Sequence, residues 1–172
     1  MARRHVATIG RGFMALSISL SSAGIPLKLN RTPDGWDADI QEPFPTLENI
    51  IAVCTGKDHV VCLNNEGKVF TFGLDKNGRL GKPASFFTKL KNAKDKLIHD
   101  IDPFIYTPIE LRDIPNIVQI SCGENFTVCM CENGHLYSFG INNYGQLGLG
   151  SGKFCYNTPQ LISSLKDVEF IE

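Results

Sequence analysis

The feature that most constrains the chain is that it matches itself. Residues 50–81, moved by 67 positions, lie over 117–148 with ten identities: Ile50 with Ile117, Gly56 with Gly123, Val61 with Val128, Cys62 with Cys129, Gly67 with Gly134, Phe72 with Phe139, Gly73 with Gly140, Gly78 with Gly145, Leu80 with Leu147, and Gly81 with Gly148. Half of these are glycines, residues demanded where backbone runs through positive φ or passes close to another segment. What recurs is therefore a backbone shape, the mark of a repeated supersecondary unit.

The unit reads as strands. In the second copy, 117–121, 126–131 and 135–139 are short apolar runs, and Asn133-Gly134 between the last two is a strong hairpin signal. In the first copy Asn64-Asn65-Glu66-Gly67 joins 60–63 to 68–72, and the third strand of each copy ends at Gly73 or Gly140. A sheet of three or four such strands, apolar on both faces, cannot bury itself and must stack on copies of itself. That is the description of a propeller blade.

The second copy's Val118-Gln119-Ile120-Ser121-Cys122-Gly123, Thr127-Val128-Cys129, Asn133-Gly134, Leu136-Tyr137-Ser138-Phe139-Gly140 and Asn143-Tyr144-Gly145-Gln146-Leu147-Gly148 resemble the repeat of the regulator of chromosome condensation family. The first copy resembles it through Cys54-Thr55-Gly56, His59, Gly67, Val69-Phe70-Thr71-Phe72-Gly73 and Asn77-Gly78-Arg79-Leu80-Gly81. Phe72 and Phe139 stand where that family commonly has Trp, and Arg79 where it commonly has Gln. The resemblance implies a seven-bladed propeller with repeats of about fifty residues. A spacing of 67 then calls for an insertion, placed at 82–105, where Phe86, Phe87, Leu90, Leu97, Ile98 and Ile101 recur at helical spacing beside Lys89, Lys91, Lys94 and Lys96. At the other end, 168–172 align with 117–121 at a shift of 51, the implied period.

The expected fold is all-β, an incomplete β-propeller. Residues 41–81 and 106–160 form two clear antiparallel blades, 82–105 a helical inter-blade insertion, and 161–172 the start of a further blade. Residues 1–40 are either a degenerate blade or a targeting segment. The order of 6–10, 13–18 and Ala23-Gly24 favours a blade, whereas five bases with no acid in residues 1–33, with Ser enrichment, suit a presequence. Residues 1–172 alone would leave blade faces uncovered and are expected to be an incomplete product, to aggregate or to self-associate.

With 17 Lys and Arg against 18 Asp and Glu, the net charge is −1, so no broad basic field recommends direct nucleic-acid binding. No run is long enough to span a bilayer. Cys54, Cys62, Cys122, Cys129, Cys131 and Cys155 form no C-x-x-C pair, and four of them sit inside apolar, strand-like runs where a thiol behaves as a small buried hydrophobe, so a reducing compartment is expected. Cys122, Cys129 and Cys131 have neither a nearby His nor structural-zinc spacing.

No residue set calls for catalysis, a cofactor or a metal. Asp58-His59 resembles an acid–base pair, but His59 is replaced by Phe126 in the second copy, and a buried imidazole bonded to blade backbone accounts for it. His5, His99 and His135 lack partners at ligand spacing. Residues 145–153 imitate a phosphate loop, yet Leu147 and Phe154 stand where that loop needs Gly and Ser or Thr. The sequons at Asn30 and Asn125 are discounted with the secretory route.

What the repeat does not require is the insertion and the loop 150–157. Lys89, Lys91, Lys94, Lys96, Lys153 and Phe154 are therefore the candidate partner-binding residues, for an acidic or apolar protein. The resemblance implies three roles: a non-enzymatic protein-interaction scaffold, which the residues favour; guanine nucleotide exchange on a Ran-type small GTPase; or a substrate-binding or regulatory part of a ubiquitin ligase or kinase. The expected location is cytoplasmic or nuclear, with mitochondria as the alternative.

Overall fold

The structure is a computed structural model that describes residues 8–9, 17–20, 26–32, 35–43, 47–83, 85–86 and 104–165. Among these the chain is built of strands: β1 (Thr8–Ile9), β2 (Ser17–Leu20), β3 (Pro26–Thr32), β4 (Gly35–Pro43), β5 (Ile50–Thr55), β6 (His59–Asn64), β7 (Val69–Leu74), β8 (Phe104–Leu111), β9 (Ile117–Cys122), β10 (Phe126–Cys131), β11 (Leu136–Ile141) and β12 (Cys155–Leu161). A short 3-10 turn, Ser163–Leu165, follows. Three four-stranded antiparallel sheets form in chain order, β1–β4, β5–β8 and β9–β12, each strand paired with its sequence neighbour. This is the all-β, incomplete propeller that the repeat predicts, and β5–β8 and β9–β12 are the two repeat copies, here blade one and blade two.

The hairpins follow local chemistry. The Asn64 side-chain carbonyl accepts the N–H groups of Glu66 (3.1 Å) and Lys68 (2.8 Å), and Asn133 accepts that of His135 (3.2 Å). These Asx-type bonds hold each turn while Gly67 and Gly134 take φ near 78°. Each third strand is pinned to the turn after it by a hydroxyl: Thr71 Oγ1 donates to the Leu80 carbonyl and Ser138 Oγ to that of Leu147, both at 2.8 Å. These are equivalent positions of the two copies, and both leucines are wholly buried.

The fourth strand of each sheet departs from the sequence reading. Strand β8 starts at Phe104, inside the expected insertion, and pairs with β7 in blade one although 106–160 are expected to form the other blade, and β12 starts at Cys155, inside the expected loop 150–157. Gly73 faces Ile105, and Gly140 faces Tyr156. Pro108 and Pro159 mask these strands in the sequence, but both lie on outermost strands, where a missing N–H costs the ladder little. Of the expected insertion, Ser85 and Phe86 are helical, and Phe86 packs on Leu80, Ile105 and Ile109. The remaining helical positions lie outside the described residues, as do most of the positions read for the N-terminal blade or targeting segment and all of 168–172.

Alternation along the strands sets the stacking. Val61, Leu63 and Val69 face blade two and meet Cys129, Cys131 and Phe139 in one buried cluster with Leu111 and Ile117. On the other face of blade one, Val53, Val60, Cys62 and Phe72 gather with Leu47 and Ile50. Fully burying such a side chain stabilises by roughly 1.5–3 kcal/mol, so the junction of the blades is the main apolar store of the described region. Gly78 shows how closely the sheets approach: at φ 76°, its missing Cβ would fall on the Tyr156 carbonyl of β12. Any side chain there would push blade two away.

Candidate interaction surface

At one end of the junction the loops 55–59 and 122–126 lie side by side. In each, a glycine N–H bonds the carbonyl three residues on (Gly56 to His59, Gly123 to Phe126, both 2.9 Å), and the ring of that residue folds over the glycine. The loops are joined by the Lys57 N–H on the Glu124 carbonyl (2.8 Å) and by an exposed ion pair of the same residues at 3.4 Å. At the far end of the inner strands, Ile117 N–H bonds the Gly67 carbonyl at 2.9 Å. The blades are thus tied at both ends.

His59 is buried in this junction, with Nε2 3.1 Å from Thr127 Oγ1 of blade two and Nδ1 without a partner. The sequence reading bonded this imidazole to backbone within its own blade. The structure corrects that: its partner is a side chain of the next blade, at a position where blade one has Val60. Burial, and secondarily the Arg79 charge, lowers its pKa to about 4, so it is neutral at neutral pH. Arg79 in turn pairs with Asp58 at 3.2 Å, both groups nearly enclosed. This is the chemistry of a structural node, out of reach of a substrate.

The cysteines divide. Cys62, Cys129 and Cys131 are buried thiols, as expected, and burial pushes Cys62 and Cys129 up to about 12. Cys54 and Cys122, by contrast, form a disulfide, which corrects the expectation of unlinked thiols, and Cys155 is a free, partly buried thiol. Each lies at the loop end of the inner strand of its sheet, where the blades converge enough to bring their Cα atoms within 5.6 Å, inside the disulfide range. The compartment inferred from thiols loses that support.

The exposed candidate surface lies on blade two, between β11 and β12. Buried Asn142 organises it: its side-chain NH2 donates to the carbonyls of Ser151 (2.9 Å) and Lys153 (3.1 Å), its Oδ1 accepts the Leu147 N–H (3.1 Å), and its N–H reaches the Phe154 carbonyl (2.7 Å). Gly145, Gly148 and Gly150 take φ of 76°, 67° and 62°, so backbone conformation accounts for these glycines without a phosphate. Around this anchor Tyr144 is 90 % and Phe154 55 % exposed, and the Lys153 ammonium sits 4.6 Å from the Tyr156 ring centroid. Of the sequence candidates, Lys153 and Phe154 come together here, while Lys89, Lys91, Lys94 and Lys96 lie outside the described residues. Tyr144, Tyr156 and the anchor Asn142 were not singled out. The contrast of Tyr144 with its repeat equivalent Asn77 is the signal that marks the first of these.

Among the described residues no three His, Cys, Asp or Glu side chains gather as a metal site, and no helix is long and apolar enough to cross a membrane. Comparison with known proteins agrees with the geometry. A family model described as "Regulator of chromosome condensation (RCC1) repeat" matches residues 66–130 and 133–172, and a second model of the same description matches 50–79 and 117–146. The regulator of chromosome condensation of Xenopus laevis is 31% identical over 120 residues, 69% of this chain and 28% of that protein. The secretion-regulating guanine nucleotide exchange factor of Bos taurus is 32% identical over 112 residues, 65% of this chain and 21% of the relative. Among solved structures, Prp20p of Saccharomyces cerevisiae superposes with a TM-score of 0.70 at 17% identity, covering 91% of this chain and 38% of that one. The chain spans between a fifth and two fifths of the length of these proteins.

Proposed function

Since the chain belongs to the regulator of chromosome condensation repeat family, with two of the repeats stacked as propeller blades, we propose that it serves as a non-enzymatic protein-interaction scaffold that works without a cofactor. The observation that carries this reading is the corner of Tyr144, Lys153, Phe154 and Tyr156. Two aromatic side chains stand in solvent on a loop fixed from beneath by Asn142, so they are displayed without being needed for packing. Exposed aromatics beside a cation, on a preorganised loop, are what protein partners dock upon. The site of action in this reading is nuclear or cytoplasmic. Support comes from a relative named for chromosome condensation and a structural neighbour described with its binding to Gsp1p and histones.

The test is a photo-crosslinking amino acid placed singly at 144, at 154 and, as a control, at exposed Glu132 of the opposite hairpin. A specific protein product from 144 and 154 but not from 132 is the expected result, and Phe154→Ser should abolish the product from 144 without changing the melting temperature. Equal labelling from all three positions removes the reading.

A second reading is nucleotide exchange on a small GTPase, favoured by the similarity to a guanine nucleotide exchange factor over 65% of this chain. It predicts faster release of a labelled guanine nucleotide from a Ran-type GTPase in the presence of the chain. Unchanged release at saturating chain disposes of it and leaves the scaffold reading intact.

A further inference from the structure

We propose that Cys54 and Cys122 form a reversible thiol–disulfide latch that clamps the inner strands of blades one and two. Three independent observations converge on it.

The first is that the bond is not part of the repeat. At a shift of 67, Cys54 corresponds to Ser121 and Cys122 to Thr55, so neither cysteine has a cysteine counterpart in the other copy. The blades stack by the shared apolar positions, and the disulfide is an addition to this one junction.

The second is access. Cys54 and Cys122 are only partly buried, near the loop ends of β5 and β9, at the edge of the apolar cluster that the blades share. Cys62 and Cys129 are sealed in the core, and burial keeps their thiols un-ionised. Cys131 is buried and donates to Asn133 and to the His135 carbonyl. Exchange at a sulfur needs exposure, which among the described cysteines leaves Cys54, Cys122 and the unlinked Cys155, and of these only Cys54 and Cys122 stand within bonding reach of each other.

The third is what the bond holds. It closes a separation of 68 residues that includes all the outer strands of blade one. The junction it spans also has the His59–Thr127 hydrogen bond, the Lys57–Glu124 contacts and the shared apolar cluster. Opening the latch therefore loosens the loops 55–59 and 122–126, which Lys57, Glu124, His59 and Thr127 still join, while the shared apolar cluster keeps the blades stacked. Cys122 Sγ lies 4.0 Å from Thr127 Oγ1, the hydroxyl that meets His59, so the change at sulfur reaches the node directly.

The step balances as thiol–disulfide exchange with a low-molecular-weight disulfide such as glutathione disulfide. A Cys thiolate attacks one sulfur of the reagent and expels a thiolate. The second Cys then attacks the mixed disulfide, and the Cys–Cys bond forms as two electrons and two protons leave in two molecules of reduced thiol. A dithiol reverses both steps.

The experiment uses the full chain, equilibrated with glutathione disulfide or with dithiothreitol, then alkylated and mapped by mass spectrometry, with hydrogen exchange read in parallel. Expected are a linked Cys54–Cys122 peptide in the first condition, two alkylated cysteines in the second, and exchange at residues 55–59 and 122–126 faster by about tenfold or more on reduction, with the strand cores still protected. C54S and C122S should each exchange at the reduced rate in both conditions. Native thiols that stay alkylatable in glutathione disulfide overturn the proposal. So does a bond that dithiothreitol opens only once denaturant has unfolded the chain, or oxidation that links Cys155 instead.

Discussion

Blades one and two share a backbone and differ in how they use it. Blade one buries an ion pair, Asp58 with Arg79, beside a histidine; blade two has Asn125, Gln146 and Phe126 at the same positions. Gln146 has turned to the surface to bond Asn143 and the Tyr144 N–H, and the Asn125 Oδ1 is buried without a partner. Among the described residues both faces of blade one carry a buried apolar cluster, and blade two shares one of these clusters. The lesson is that the repeat specifies shape, through glycines and apolar alternation, and leaves the polar positions free to make each junction individual. Charge in blade one is buried within the blade, between Asp58 and Arg79, whereas blade two leaves Tyr144 and Phe154 exposed.

The largest expected effect breaks the comparison at the covered face. Leu63 is wholly enclosed by blade two, and its equivalent Met130 is only partly buried. Leu63→Asp places an unpaired charge in the core and should cost roughly 5 kcal/mol or more, enough to unfold a domain of ordinary stability. Met130→Asp, at a partly buried position, should cost roughly 1 kcal/mol or less. Equal costs at the two positions in denaturant melts would show that the face beside Met130 is as tightly packed as the junction.

Next comes the ion pair. Arg79→Gln imports blade two's residue into blade one but strands Asp58, and should destabilise by roughly 3–5 kcal/mol. Adding Asp58→Asn completes the exchange and should recover most of that loss, a coupling that a double-mutant cycle reads. No recovery would mean that the carboxylate does not pay its own burial through Arg79.

The histidine adds a pH signature that blade two lacks. The unfolded chain takes up the proton near pH 6.5, while the folded chain resists it until about pH 4, its charged form disfavoured by burial and by Arg79. Between those values the unfolded state binds more protons, so stability falls as pH falls. At pH 4.5 the loss from this group should be roughly 2.5 kcal/mol. His59→Phe, the residue of blade two, should flatten the difference between urea midpoints at pH 7.5 and 4.5. An unchanged slope would assign the acid sensitivity elsewhere.

How much of this was legible in the sequence follows from where its information lies. Strands β5–β7 and β9–β11 were readable because apolar alternation and a hairpin turn are local, and the ten identities fixed their equivalence. Strands β8 and β12 were missed at a shift of 67, yet they match at 51, where Thr107-Pro108 falls on Thr158-Pro159. The extra residues of the first copy lie between β7 and β8, so the two halves of the repeat keep different registers. Lys153 and Phe154 were found because they depart from the repeat. Asn142 was not, since its importance is a set of bonds to backbone nine and eleven residues away. The Cys54–Cys122 bond and the His59–Thr127 contact were invisible for the same reason: both join residues 68 apart that the repeat does not align with each other.

The smallest effect sharpens the comparison most, because it isolates a single contact between equivalent positions. Lys57 and Glu124 occupy the same place in the two copies with opposite charge, and they meet at 3.4 Å across the junction. With side chains 47% and 67% exposed, the pair is screened by solvent and should be worth about 0.5 kcal/mol. Lys57→Glu should lower stability by about that amount at low salt and by less at 1 M salt, where the Debye length shrinks to about 3 Å. Adding Glu124→Lys restores opposite charges in reversed order and should return the low-salt value. Recovery in the double variant makes the attraction a property of the two loops meeting, whereas a persistent loss makes it a property of Lys57 within its own blade.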